Sequence, residues 1–143
     1  MPEHLTSIDE LIALRDAQQK QGSLRAAAAT DREVGIRLAE DGSYERGLRH
    51  LQAARGLFGD DSYDGAVCDH SIGIVLAELA RYEESAAALG QPLDAIARFE
   101  AARRIHVEMN TADRIAACDE GIECAKAALH LSLIHISEPT RPY

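Results

Sequence analysis

The stretch Gly35–Glu45, GIRLAEDGSYE, recurs 38 residues later as Gly73–Glu83, GIVLAELARYE. A glycine opens each copy, and a tyrosine followed by a glutamate closes it. The apolar residues of both copies follow the 3.6-residue period of a helix and do not alternate as they would in a half-buried strand. The chain therefore repeats a helical unit, and this repeat decides the fold.

Two further pairs of segments extend the repeat. Ala66–Gly73, AVCDHSIG, matches Ala116–Glu123, AACDEGIE, 50 residues later, and Leu48–Leu57, LRHLQAARGL, matches Ile96–Ile105, IARFEAARRI, after 48 residues. The difference between the shorter and longer intervals places about ten extra residues in SAAALGQPLD, residues 85–94. Self-similarity at such intervals in paired helices is typical of solenoids.

Helical spacing covers nearly the whole chain, so the element boundaries come from caps and breakers. Ser7 followed by Glu10 predicts a capped helix start, and Gly22 predicts the end of that helix. We expect the chain to break near Gly90-Gln91-Pro92, because proline cannot donate a helical hydrogen bond. The alternative is one long kinked helix over residues 83–107.

The repeated units share a sequence pattern in each of their two helices. The first helix carries an apolar residue before a glycine and a large residue three positions after the glycine. The second helix carries a small residue, a large residue four positions on, and another small residue three positions after that. The residues are Val34, Gly35, Leu38, Gly47, Leu51 and Ala54 in one copy and Ile72, Gly73, Leu76, Tyr82, Ala95, Phe99 and Ala102 in the next. This pattern resembles the tetratricopeptide repeat family.

The resemblance covers Ala28–Leu129 and implies an all-α fold, in which antiparallel helix pairs stack as a short right-handed solenoid. The first helix would then be the second half of an incomplete preceding unit. The chain also departs from the family. Asp31, Asp69 and Asp119 stand where the family has an early tryptophan, and Ile122-Glu123 stands where an apolar residue and a glycine are expected.

The end of the chain differs from everything before it. Leu131–Arg141, LSLIHISEPTR, is similar to the in-frame translation of the transposon-end and adapter DNA that is used to prepare sequencing libraries. We therefore expect residues 1–130 to form the repeat domain, incomplete at its C-terminal end, and residues 131–143 to be an artefactual tail without functional residues. A unit cut in this way would expose an apolar face, so we expect the chain to be marginally stable or to self-associate through that face. The residues of that face are Ile115, Ile122 and Leu129.

Composition excludes several classes of function. A net charge of −9, with lysines and arginines scattered along the chain, argues against nucleic-acid binding. No stretch approaches the roughly 20 apolar residues of a membrane span, and the N-terminus is acidic where a signal peptide is basic. Cys68, Cys118 and Cys124 contain no CxxC pair and fit reduced thiols. We expect a cytoplasmic protein that does not bind membranes.

Cys68-Asp69-His70 is the triplet that most invites a metal or nucleophile interpretation. Its repeat partner is Cys118-Asp119-Glu120, which favours two equivalent packing positions instead. A zinc site needs four ligands at characteristic spacings, and the sequence does not supply them. We therefore expect no catalytic residue, no metal and no cofactor, and the chain is not expected to be an enzyme.

The family resemblance also implies a binding groove. In that family three positions of each first helix face the concave surface, at fixed distances from the glycine. Carried over, the groove residues are Arg32, Ile36, Glu40, His70, Ile74, Glu78, Glu120 and Cys124. An apolar floor with mostly acidic walls suits an amphipathic peptide or protein segment with basic charge.

Two functions remain open on this basis. The first is a protein–protein interaction scaffold that holds a partner segment in the groove. The second is the sensor or regulatory arm of a larger bacterial regulator or enzyme, whose active domain is missing from this chain.

Overall fold

The computed structural model describes residues 6–82 and 90–137. They form six helices and, within these ranges, no strand: α1 (Ile8–Lys20), α2 (Leu24–Glu40), α3 (Tyr44–Leu57), α4 (Tyr63–Tyr82), α5 (Gly90–Glu108) and α6 (Ala112–Ser137). The predicted all-α class is confirmed. None of these helices combines the length and the apolarity that a bilayer crossing requires.

Side-chain caps begin two of the helices. The Oγ of Ser7 accepts a hydrogen bond of 3.1 Å from the backbone N–H of Glu10, as the sequence predicts. The Oγ of Ser62 accepts one of 3.0 Å from the N–H of Gly65 in the first turn of α4. Each bond satisfies an N–H group that has no partner within its own helix.

Three helices end in the same turn, in which one residue adopts a left-handed conformation. These residues are Gly22, Gly42 and Asn110, with φ angles of 77°, 87° and 56°. The residue after each donates its N–H back to a carbonyl in the last helical turn: Ser23 to Gln18, Ser43 to Leu38 and Thr111 to His106. This is the Schellman arrangement, which glycine adopts without a Cβ clash and asparagine tolerates.

The helices are packed in two sets. Each helix contacts the next along the chain, and α2 and α6 also both contact α4. Within the described residues α1 does not contact α3, and α3 does not contact α5. We call α2, α4 and α6 the even helices and α1, α3 and α5 the odd helices. The even helices therefore contact one another, while the odd helices are held apart by them.

Glycines allow the closest approach between the two sets. A Cβ at Gly35 would lie 2.9 Å from the carbonyl oxygen of Gly47 and 2.6 Å from the Cγ of Leu51. In the next unit the ring of Phe99 packs against two glycines in the way that Leu51 packs against Gly35. A Cβ built on Gly73 would lie 2.9 Å from the ring, and a Cβ built on Gly121 would lie 2.5 Å from it. Gly35, Gly47 and Gly73 belong to the repeated sequence pattern and Gly121 does not, yet a side chain at any of the four would collide with the facing helix.

The break predicted near Gly90-Gln91-Pro92 does not lie at these three residues themselves, which are helical and belong to α5. Residues 83–89, on which the choice between a break and one long helix depends, lie outside the described residues. At the other end, α6 continues past residue 130 to Ser137.

The apolar face expected at the end of the repeat domain is not exposed. Ile122 is buried in the core beside Phe99, and Ile115 and Leu129 are half-buried. Half of the exposed residues of α6 up to Leu131 are charged, and they include an ion pair of 3.7 Å between Lys126 and Glu123, while Leu131 itself is 67% exposed. These three apolar residues therefore give no support to self-association, which stays a prediction.

Candidate functional site

Four of the eight predicted groove residues line one pocket of about 360 Å³ where α2, α3 and α4 meet. Ile36 and Glu40 reach it from α2, one turn apart, and Ile74 and Glu78 reach it from equivalent places on α4. The other residues of the lining are Ala39, Tyr44, Leu51, Ser71 and Val75.

The pocket has an apolar base and acidic edges. Leu51 and Val75 are buried and belong to the main core cluster, against which Ile36 packs. Ile74 is 46% exposed at the edge of the pocket, so its side chain is accessible to a ligand. The carboxylates of Glu40 and Glu78 belong to the lining, so a bound group would meet apolar side chains at the base of the pocket and negative charge at its edges.

Arg32 and His70, one turn before the pocket residues, are engaged in packing. The Nη1 of Arg32 lies 3.3 Å from the Oδ1 of Asp64, and its guanidinium lies 5.9 Å from the ring centroid of Phe58. His70 meets the ring of Phe99 edge-on with 5.2 Å between centroids. The structure does not bring these two side chains into the pocket.

The two predicted groove residues of α6 are also outside this pocket. Glu120 and Cys124 are exposed. Their positions correspond to His70 and Ile74 by the 50-residue interval, so they lie one helix further along the even set. Their part in a longer groove stays a prediction.

One contact between a cysteine and a histidine joins α4 and α6. The Sγ of Cys118 lies 3.5 Å from the Nδ1 of His70. Burial raises the pKa of Cys118 and, with a smaller contribution from Arg114, lowers the pKa of His70, so both groups are neutral near pH 7. Burial likewise raises the pKa of Cys68 to about 11. Within residues 6–82 and 90–137, no group of three or more His, Cys, Asp or Glu side chains could hold a metal ion.

Buried aspartates on the even helices join the odd helices on either side. Asp31 on α2, 1% exposed, accepts hydrogen bonds from the Nη1 of Arg15 on α1 at 2.7 Å and from the Nδ1 of His50 on α3 at 2.9 Å. Asp69 on α4, 3% exposed, accepts from the Nε of Arg55 on α3 at 3.0 Å and from the Nη1 of Arg98 on α5 at 2.7 Å. We call each carboxylate with its partners an aspartate clamp.

The third copy of the clamp has one partner. The side chain of Asp119 on α6 is 53% exposed and accepts a bond of 2.6 Å from the Nε of Arg103 on α5. In the sequence the three aspartates are departures from the family pattern, and Asp69 and Asp119 also stand in equivalent triplets, but none of them was predicted to bind an arginine or a histidine. A signal was present, because Arg55 and Arg103 occupy the same place in the segments that match after 48 residues, as do His50 and Arg98.

Comparison of the chain with protein-family models, with curated proteins and with solved structures finds no match.

Proposed function

We propose that this protein is a peptide-binding interaction module, and that the pocket between α2 and α4 holds an apolar side chain of an amphipathic partner segment. The observation that carries the proposal is the exposure of Ile74 at the edge of an apolar pocket bounded by Glu40 and Glu78. Recognition sites combine an apolar cavity with a few polar groups that fix orientation.

Charge selects the partner. The chain carries a net charge of −9, and the two charged groups of the pocket lining are the carboxylates of Glu40 and Glu78. Arg32 and Arg37 on α2 are paired with Asp64 and Glu33, so their charges are already opposed within the protein. A partner segment with lysine or arginine next to its apolar anchor is therefore favoured in affinity and in association rate.

We also propose that the helix pairs stack as the right-handed, tetratricopeptide-like solenoid that the sequence resembles. Within residues 6–82 and 90–137, successive even helices contact each other and successive odd helices do not, which supports this stacking, because a repeat array keeps one helix of each pair on a shared surface. Ile36 and Ile74 then lie on that shared surface and form the floor of a groove.

The test is selection of peptides from a random display library on the purified protein. Enriched peptides should place an apolar residue beside lysine or arginine. Ile74→Asp should reduce their affinity at least about tenfold, because an unpaired carboxylate would face the apolar anchor. Leu57→Asp is the matched control. Leu57 is 47% exposed and Ile74 is 46% exposed, but Leu57 lies outside the pocket.

Glu40→Lys should lower the affinity of the same peptides and reduce its dependence on salt concentration. If the selected peptides bind Ile74→Asp and Leu57→Asp equally well, the pocket is not the binding site and the proposal is wrong.

A further inference from the structure

The pocket occupies the place that an aromatic ring fills in the neighbouring unit. Leu51 on α3 and Phe99 on α5 are equivalent by the 48-residue interval. The equivalence is also structural, because Leu51 packs on Gly35 of α2 as Phe99 packs on Gly73 of α4. Phe99 is 1% exposed, and its ring also reaches Gly121 on the next even helix.

The first unit has neither the aromatic ring nor the second glycine against which that ring packs. Leu51 is shorter than phenylalanine, and the position equivalent to Gly121 by the 50-residue interval is Ser71. Leu51 and Ser71 both line the pocket of about 360 Å³. The cavity is therefore the space left where the second unit places its own ring between two even helices.

We infer that the pocket accepts an aromatic side chain, phenylalanine in the first instance, supplied by the partner segment. A cavity of about 150 Å³ lined by aliphatic and aromatic side chains is enough to hold benzene, so one ring fits with room for its backbone connection. The walls supply aliphatic contact from Ile36, Ile74 and Val75 and an aromatic neighbour in Tyr44. The inference rests on the proposed function and names the anchor residue of the partner.

The first experiment compares a selected peptide with its variants at the anchor position, by calorimetry on the full chain. Replacing phenylalanine with leucine should weaken binding at least about fivefold, and replacing it with alanine at least about thirtyfold. Binding that depends on Ile74 but is unchanged by the leucine replacement would overturn the aromatic inference and leave the proposed function standing.

The second experiment changes the protein. Leu51→Phe with Ser71→Gly copies the second unit and should fill the pocket from inside, abolishing binding of the peptide while the helical circular dichroism is kept. The converse pair, Phe99→Leu with Gly121→Ser, should open an equivalent pocket between α4 and α6 and change the peptide stoichiometry from one to two. Undiminished binding to a folded Leu51→Phe/Ser71→Gly variant would overturn the inference.

A third probe, N-acetyl-phenylalaninamide, needs no selected peptide. It should shift amide resonances of α2 and α4 in the wild-type protein and leave those of Leu51→Phe/Ser71→Gly unchanged, whereas N-acetyl-leucinamide should give smaller shifts. If no display peptide depends on Ile74, the proposed function fails. If N-acetyl-phenylalaninamide also leaves the wild-type resonances unchanged, the aromatic inference fails with it.

Discussion

Asp69→Asn should destabilise the protein by about 2 kcal/mol. Asp69 accepts two bonds, from Arg55 at 3.0 Å and from Arg98 at 2.7 Å, and only 5% of its side chain is exposed. Hydrogen bonds to charged groups contribute about 1.5–3 kcal/mol each, and asparagine would retain roughly half of that, since neutral bonds are about half as strong. The substitution keeps shape and volume, so no cavity contributes to the loss.

The measurement is urea unfolding followed by circular dichroism, in which about 2 kcal/mol corresponds to a midpoint shift of about 1 M. Asp119→Asn is the matched control, because Asp119 has one arginine partner and a side chain that is 53% exposed. Its loss should stay below about 1 kcal/mol and vanish at high salt. Equal losses of stability at the two positions would refute the reasoning. A more stable Asp69→Asn variant would also refute it, because the free-energy cost of burying the carboxylate would then exceed the stabilisation that its hydrogen bonds provide.

Three other predictions concern the core, the pH response and a turn. Gly121→Ala should lower the melting temperature despite the better helix propensity of alanine, because the new Cβ would lie 2.5 Å from the ring of Phe99, and Phe99→Leu should partly restore it. Burial lowers the pKa values of His70 and His106, so the unfolded chain binds protons that the folded chain does not. Stability should be fully present above about pH 6.5 and fall below it, and a constant urea midpoint between about pH 7.5 and 5.5 would contradict this. Asn110→Gly should keep or slightly raise the melting temperature, whereas Asn110→Ala should cost about 1 kcal/mol, because alanine disfavours the φ of 56°.

The helical class and several boundaries could be read from the sequence because they depend on local chemistry. The cap at Ser7 and the turns at Gly22 and Gly42 each need one residue type at one place, and the structure has them there. Asn110 makes the same turn without a glycine. A break before Gly90 stays a prediction, because glycine followed by proline suits both the end of one helix and the start of another, and residues 83–89 lie outside the described residues.

The site was less predictable because it depends on which side chains fill the space between helices. Spacing from the glycines placed Ile36 and Ile74 beside each other, but the same rule included His70, whose ring instead packs on Phe99. The 48-residue interval already pairs Leu51 with the larger Phe99, but whether that difference leaves a pocket depends on which side chains of α2 and α4 surround it in three dimensions. The aspartate clamps escaped notice because their partners lie on two other helices, at separations that differ from copy to copy.

The aspartate clamps couple helices that do not touch. In a linear repeat array the free energy of unfolding is approximately a sum of unit terms and nearest-neighbour terms. Counted by helices instead of units, Asp31 and Asp69 add a next-nearest-neighbour term, because each holds two odd helices whose backbones are not in contact within the described residues. If one odd helix opens, the shared carboxylate loses a partner, and its even helix binds the remaining odd helix less tightly. Amide hydrogens of α1 to α5 should therefore exchange through one shared opening, while those of α6, where Asp119 holds a single arginine, should exchange earlier.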